Sequence, residues 1–405
     1  MESTLDNVSL LVEHLEEGDF EYLHNYISKV RNLALSSSER RKILTLADSY
    51  QNSSDEMGGL LVNLALSTLD KALLEDIEIA FSGWNNEMRQ AGLRYLDRLA
   101  ITSSIDLYAK LLLNHRSEIV QIPLDKTRED KQLLLRFLTK TIDCLNNSNL
   151  KEEYYSLTLD VIDIAAQSYI NKLKENLIAD LIIASASLSK YRHQFGEYWI
   201  WSHPLYLKIR ELSCLLLELA GRIGDENFVS PLRSFMRIKD MRIRYFTAVS
   251  IIRLRGQVRK TDFLSIASSP EMRNTLYRAL EKMGKLEHFP DQYLSREFFA
   301  ESQMVEWLKN SKFLGRVPEE IELSCIFDTN DGDVKYEWYL FRFKSTKVGF
   351  EDRGFMAGVA GPYLKNGPQT PEGGSLTFSC FENFNTRSPQ EHIEQIFSVL
   401  QSQVK

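Results

Sequence analysis

Helix-breaking residues are almost missing from the first 180 positions of this chain. That stretch holds five glycines (18, 58, 59, 83 and 92) and one proline, Pro123, whereas residues 349–374 hold seven glycines and three prolines. A fold of many short strands needs turn residues every few positions, so the breaker-poor part is incompatible with a β-sandwich or barrel. Its apolar residues recur at helical spacing instead: Leu5, Val8, Leu11, Val12 and Leu15 form one stripe, and Leu61, Leu64, Ala65 and Leu69 another. Leu133, Leu134, Phe137 and Leu138 share a face, as do Leu159, Ile162 and Ala166. Short polar breaks at Ser36–Ser38, Asn52–Ser54 and Asn146–Ser148 separate the stripes. This rhythm predicts helix hairpins packed one after another from the start to about residue 298.

A repeat unit is most legible at 205–284. Ile209-Arg210 is followed by Leu216, Leu219, Ala220 and Gly221; Ile243-Arg244 by Ala248, Ile251, Leu254 and Gly256; Met272-Arg273 by Leu276, Leu280, Met283 and Gly284. An apolar-Arg pair opens each helix and a glycine closes it. Met88-Arg89, with Ala91, Leu93, Leu96 and Leu99 behind it, is a fourth copy. Such hairpins carry apolar residues on more than one face and bury them only by stacking on neighbours. The aspartate before the second helix, Asp240, suits an N-cap, and a closing glycine permits a left-handed turn.

Gly221-Arg222-Ile223-Gly224-Asp225-Glu226, then Val229, Pro231-Leu232, Asp240, Ile243-Arg244 and Ala248, resembles a HEAT repeat of the type found in phycobilin-lyase-like HEAT proteins. The match covers about 50 residues and fades to periodicity elsewhere. The resemblance implies a HEAT-like α-α superhelical solenoid, in which Arg210 and Arg244 tie helix starts to neighbouring carboxylates. It also implies two activities by analogy: a bilin-lyase component, and a duplex reader of the HEAT-like DNA-glycosylase kind.

Near residue 300 the pattern changes. Ser302 to Leu308 is still helical, but after Gly315 and Pro318 a period of two takes over, with Ile321, Leu323 and Cys325 predicted on one face. Tyr336 to Phe343 is a dense aromatic strand, Asp331-Gly332 a hairpin signal, and Phe355–Ala360 and Leu376–Phe381 two more strands. Ser388 and Pro389 open a closing helix as N-cap and first residue. The predicted fold class is therefore mainly α: a solenoid over 1–298, then an α+β domain with an antiparallel sheet over 299–405.

Candidate chemistry is sparse. The acidic hairpin Asp328–Asp333 lacks the glycine and glutamate spacing of an EF-hand, so it reads as a solvated turn. Gly354, Gly358 and Gly361 flank a strand without the Lys-Ser/Thr of a phosphate loop, which favours close backbone approach or a bulge. The Gly361–Gly374 loop is long enough to bind a partner or to be disordered. The seven histidines show no metal-ligand spacing, and Cys325 and Cys380 lie in phase with core residues, as buried thiols do. These patterns predict no catalytic set, no metal and no cofactor.

Charge distribution gives the sharpest clue. Residues 205–260 hold 12 basic and five acidic residues within a chain of net charge −7. Arg237, Lys239, Arg242, Arg253 and Arg255 have no structural duty implied by the repeat pattern. A basic patch on an acidic chain attracts an acidic partner. Trp199, Trp201 and Tyr363 join these five as candidate partner-binding residues, since aromatic residues anchor many interfaces, although packing in a helix-helix seam is the favoured reading for the two tryptophans. The acidic first 20 residues, the lack of an ~18-residue apolar run, and four scattered cysteines predict a cytoplasmic protein with no membrane partner. The expected function is a non-enzymatic scaffold that contacts an acidic protein; nucleic-acid binding of the DNA-repair type is the alternative.

Overall fold

The structure is a computed structural model that describes residues 35–50, 57–119, 121–146, 149–191, 193–194, 200, 202–347, 349, 354–371 and 374–403. The chain is a mainly α-helical solenoid followed by a small C-terminal domain with an antiparallel sheet. It divides into two compact units, Met1–Asp180 and Leu181–Lys405. The stripe at Leu5–Leu15 and the break at 52–54 lie outside the described residues.

In the first unit the helices are α1 (Ser37–Ala47), α2 (Met57–Ala65), α3 (Leu74–Ala80), α4 (Asn86–Leu99), α5 (Thr102–Asn114), α6 (Lys131–Thr141) and α7 (Lys151–Val161); α8 (Gln167–Ser189) runs across the division. Ser36 starts α1 with a capping box closed by Glu39. Packing runs in chain order, α1 on α2, α2 on α4, α4 on α5, α5 on α6 and α6 on α7. Leu61, Leu64 and Ala65 are buried as predicted, but Leu69 is 48% exposed. The reason is that α2 stops at Ala65, so the helical phase no longer applies four residues on.

Ion pairs mark the repeat period. Arg41 bonds Asp76 35 residues away at 2.9 Å, Arg136 bonds Asp106 30 residues away, Arg128 bonds Asp160 over 32, and Lys151 bonds Asp180 over 29. Each pair joins one hairpin to the next, which extends the period into the part of the chain where the apolar-Arg signal is faint.

The second unit continues with α9 (Pro204–Ile223), α10 (Val229–Phe235), α11 (Met241–Arg253), α12 (Lys260–Ala267), α13 (Pro270–Lys282) and α14 (Arg296–Asn310). Helix α9 packs on α11, α11 on α13 and α13 on α14. Asp240 caps α11 through the Arg242 and Ile243 amides and also accepts the Tyr206 hydroxyl from α9.

The arginine of the apolar-Arg pair is the fourth residue of its helix in α4, α11 and α13, and its guanidinium faces inward. Arg273, 2% exposed, donates to the Ala267 carbonyl at 2.8 Å and the Phe298 carbonyl at 2.7 Å, and pairs with Glu301 at 2.6 Å. The rings of Tyr293 and Phe298 lie 5.0 and 4.7 Å from it. Arg89 donates to Phe81 and Ser82 carbonyls and to Glu118. Arg40, at the same position of α1, bonds the Leu35 and Thr68 carbonyls. Arg244 corrects the expectation of a carboxylate partner: it bonds the Ile238 carbonyl and Ser265 Oγ, at 2.6 and 3.0 Å. Arg210 does face a carboxylate, 3.9 Å from Asp240.

Two closing glycines also shift. Gly221 lies inside α9, where an added Cβ would sit 2.6 Å from Ser250 Oγ, so it permits the close approach of α11. Gly224, at φ +77°, ends the helix. At the end of α11 the left-handed residue is Arg255, at φ +58°, and Gly256 follows it. The Arg255 and Gly256 amides bond the Ile252 and Ile251 carbonyls, the same double closure that Gly284 and Lys285 make on α13.

The sheet has the order β1 (Glu320–Asp331), β2 (Val334–Lys344), β3 (Met356–Leu364), β4 (Gly374–Asn383), all antiparallel. Asp331 pairs with Val334, so the two-residue turn is Gly332-Asp333, one position past the predicted hairpin. Helix α14 covers one face, with Ala300, Met304 and Leu308 against Tyr339, Phe341 and Phe343. Helix α15 (Pro389–Gln403), opened by a Ser388–Glu391 capping box, covers the other, with Ile393 and Ile396 against Trp338 and Leu340. Burial on both faces explains why Tyr336–Phe343 lacks polar alternation. A bulge between Leu323 and Cys325 breaks the predicted single face: Ile321 packs toward α14, whereas Cys325 packs toward α15.

Replacing Arg273 by alanine strands buried carbonyls and Glu301, and is expected to cost about 3–5 kcal/mol in denaturant unfolding; a loss below about 1 kcal/mol would show that the clamp is dispensable. In the first unit, hydrogen bonds from Arg136, supported by Lys140, lower the Asp106 carboxyl from 3.8 to about 2. A depressed carboxyl contributes stability at neutral pH that is lost as pH falls from about 4 to about 2. Asp106→Asn should flatten the acid limb of the stability profile in that window, read by circular dichroism; an unaltered limb contradicts the assignment.

Candidate functional site

The basic segment is built on two connections, the turn after α10 and the loop between α11 and α12. Arg237 and Lys239 sit in the first, Arg253 ends α11, and Arg255 opens the second; all four are exposed. Together with Arg233 they have no ion-pair partner among the described residues. Arg242 is different. It is half-buried and pairs with Glu211 at 3.0 Å, which ties α11 to α9 and removes it from the free patch. It also lies eleven residues before Arg253 on the same helix, about 16 Å along the axis.

The structure gathers Arg237 with two arginines that sequence reasoning counted but did not single out. Arg233, Arg237 and Arg259 line one groove of about 420 Å³ between α10 and α12, with Gln257 and Asp262 also on its walls. Arg259 makes two 2.9 Å bonds to Asp262. Arg233 stands four residues before Arg237, a spacing that puts both on one side of a helical turn and could have marked them as a pair. Arg259 carried no such signal, because its place depends on how the 254–259 loop folds back.

Arg255 occupies a backbone conformation that costs an ordinary residue roughly 1–2 kcal/mol. At the matching position of α13 the chain uses Gly284, whose φ is +64°. An exposed, unpaired arginine therefore stands where glycine would fold more easily.

Of the remaining predicted residues, Tyr363 is not on this surface. Tyr363 is fully buried in β3, packs edge-on against Tyr339 at 5.4 Å, and donates its hydroxyl to Gln303 of α14. It is a core residue because β3 continues to Leu364 instead of ending before the proline-rich loop. Trp199 and Trp201 lie outside the described residues; beside them, Ile200 is buried and Tyr191 meets Tyr206 edge-on at 5.5 Å.

The loop after β3 is tethered. Arg296, at the start of α14, donates to the Lys365 and Gly367 carbonyls at 3.3 and 2.8 Å and pairs with Glu337 at 2.7 Å. Gln303 donates to the Pro371 carbonyl at 2.6 Å. Gly358 fits the expectation of close approach: an added Cβ would lie 3.0 Å from the Met304 sulfur. Among the described residues, no group of three or more His, Cys, Asp or Glu side chains is placed to hold a metal ion. Nor is any described helix long and apolar enough to cross a membrane.

No protein-family model, curated protein or solved structure matches this chain.

Burial pushes the Cys144 thiol up to about 11 and the Cys214 thiol up to about 12. Both should resist iodoacetamide near pH 8 in the folded chain and react in denaturant. Rapid labelling of either one under native conditions, seen by peptide mass spectrometry, would refute a purely structural role.

Proposed function

We propose that this chain is a non-enzymatic interaction scaffold of HEAT-like repeats, and that its 233–259 face captures an acidic protein partner. The observation that carries the proposal is Arg255, an exposed and unpaired cation held at a left-handed position. Retaining arginine there lowers stability, and display of positive charge is the compensating use. Arg253, Lys239, Arg237 and Arg233 surround it in sequence and are likewise exposed and unpaired among the described residues. Helical solenoids present such side chains on extended surfaces held by rigid repeats.

The paired Arg253→Glu and Arg255→Glu substitution tests this. The full chain, immobilised, should lose salt-sensitive capture of protein from its source-cell extract while its melting curve stays within about 2 °C of the parent. Persistent capture removes Arg253 and Arg255 from the interface. Arg255→Gly gives an independent check: stability should hold or rise by up to about 1 kcal/mol while capture weakens. Lowered stability with full capture would mean that Arg255 serves the fold.

A further inference from the structure

We infer that the groove between α10 and α12 docks a short acidic segment of the partner protein, one whose apolar side chain is flanked by carboxylates. This rests on the scaffold proposal and adds which part of the face is read, and by what chemistry.

The groove is amphipathic. Its floor is apolar: Met236 is 8% and Ile251 1% exposed, and Val258 is half-buried beside them. Its rim is cationic, with Arg233 and Arg237 exposed and unpaired among the described residues. Arg259 is partly committed. Its Nε and Nη2 hold Asp262, but the side chain is 77% exposed and Nη1 has no bond to that carboxylate. Asp262 thus fixes the guanidinium over the groove and leaves donors for an incoming carboxylate. The volume, about 420 Å³, is in the range of clefts that enclose a ligand group.

Each wall argues for an acidic peptide over a nucleic acid. Single strands bind by stacking bases on aromatic rings, and among the described residues no aromatic side chain lines this groove. The Asp262 carboxylate repels a continuous phosphate chain, whereas separated carboxylates can seat on Arg233, Arg237 and the far side of Arg259. An aliphatic side chain between them fills the Met236–Ile251–Val258 floor and excludes water from the charge pairs. Neither half of this surface suffices: exposed arginine pairs are weak alone, and the floor is too small to select a partner by burial.

The test uses the full-length chain and a fluorescein-labelled Glu-rich peptide with one central leucine, read by fluorescence anisotropy. Two further probes are the same peptide with serine for leucine, and an oligothymidylate of equal charge. Saturable binding of the leucine peptide is expected, with binding of the serine peptide weaker by about tenfold or more, as the burial of one leucine-sized side chain implies. Arg233→Glu with Arg237→Glu should weaken the leucine peptide by about tenfold or more with an unchanged melting curve. Equal binding of the leucine and serine peptides, equal binding of the oligonucleotide, or no saturable binding overturns the inference. The scaffold proposal is judged separately, by extract capture with Arg253 and Arg255, which do not line the groove. Capture without leucine discrimination refutes the groove alone; peptide binding without any capture refutes the scaffold alone.

Discussion

A buried guanidinium near the start of a helix is the interaction on which the repeats of this protein depend. Arg40, Arg89, Arg244 and Arg273 each donate to a backbone carbonyl five to eight residues earlier in the chain. Arg40, Arg89 and Arg273 then reach forward, to positions 25–29 residues ahead. Arginine suits the role because five N–H donors on a flat fork can satisfy several acceptors at once, and because it stays charged at any physiological pH. These bonds tie a helix both to the segment before it and to the hairpin after it, so stacking adds hydrogen bonds to the apolar burial that neighbouring repeats share.

The same device extends into the C-terminal domain. Arg296 is the first residue of α14, not the fourth, and its acceptors are Glu337 and the carbonyls of the loop after β3. The sheet is therefore keyed to α14 by ionic bonds at one end and by the Met304–Gly358 contact in the middle. A loop that looks free from its proline and glycine content is held at several points, because the helix beneath it supplies donors.

What the sequence made legible follows from how local each cause is. The Asp240 cap, the Ser388 start and the change from helix to strand after Pro318 depend on neighbours within a few positions, and they are where the residues place them. Features set by distant partners were harder to see. The bulge after Leu323 leaves no composition mark, yet it moves Cys325 to the other face. The pairing of Arg242 with Glu211 depends on a helix 31 residues away. Tyr363 lies among glycines and prolines but is buried because β3 runs past them. The groove was half visible: its positive charge was plain, while its apolar floor and the fold of Arg259 onto Asp262 are products of packing.

A stack of helical repeats has no intrinsic reason to stop, since each added hairpin presents the surface that the next one needs. The sheet supplies the stop. It covers Ala300, Met304 and Leu308 of α14 with strands and then seals its own far face with α15. The C-terminal end of the helices is thereby met by an element of a different architecture, a sheet with a helix on each face.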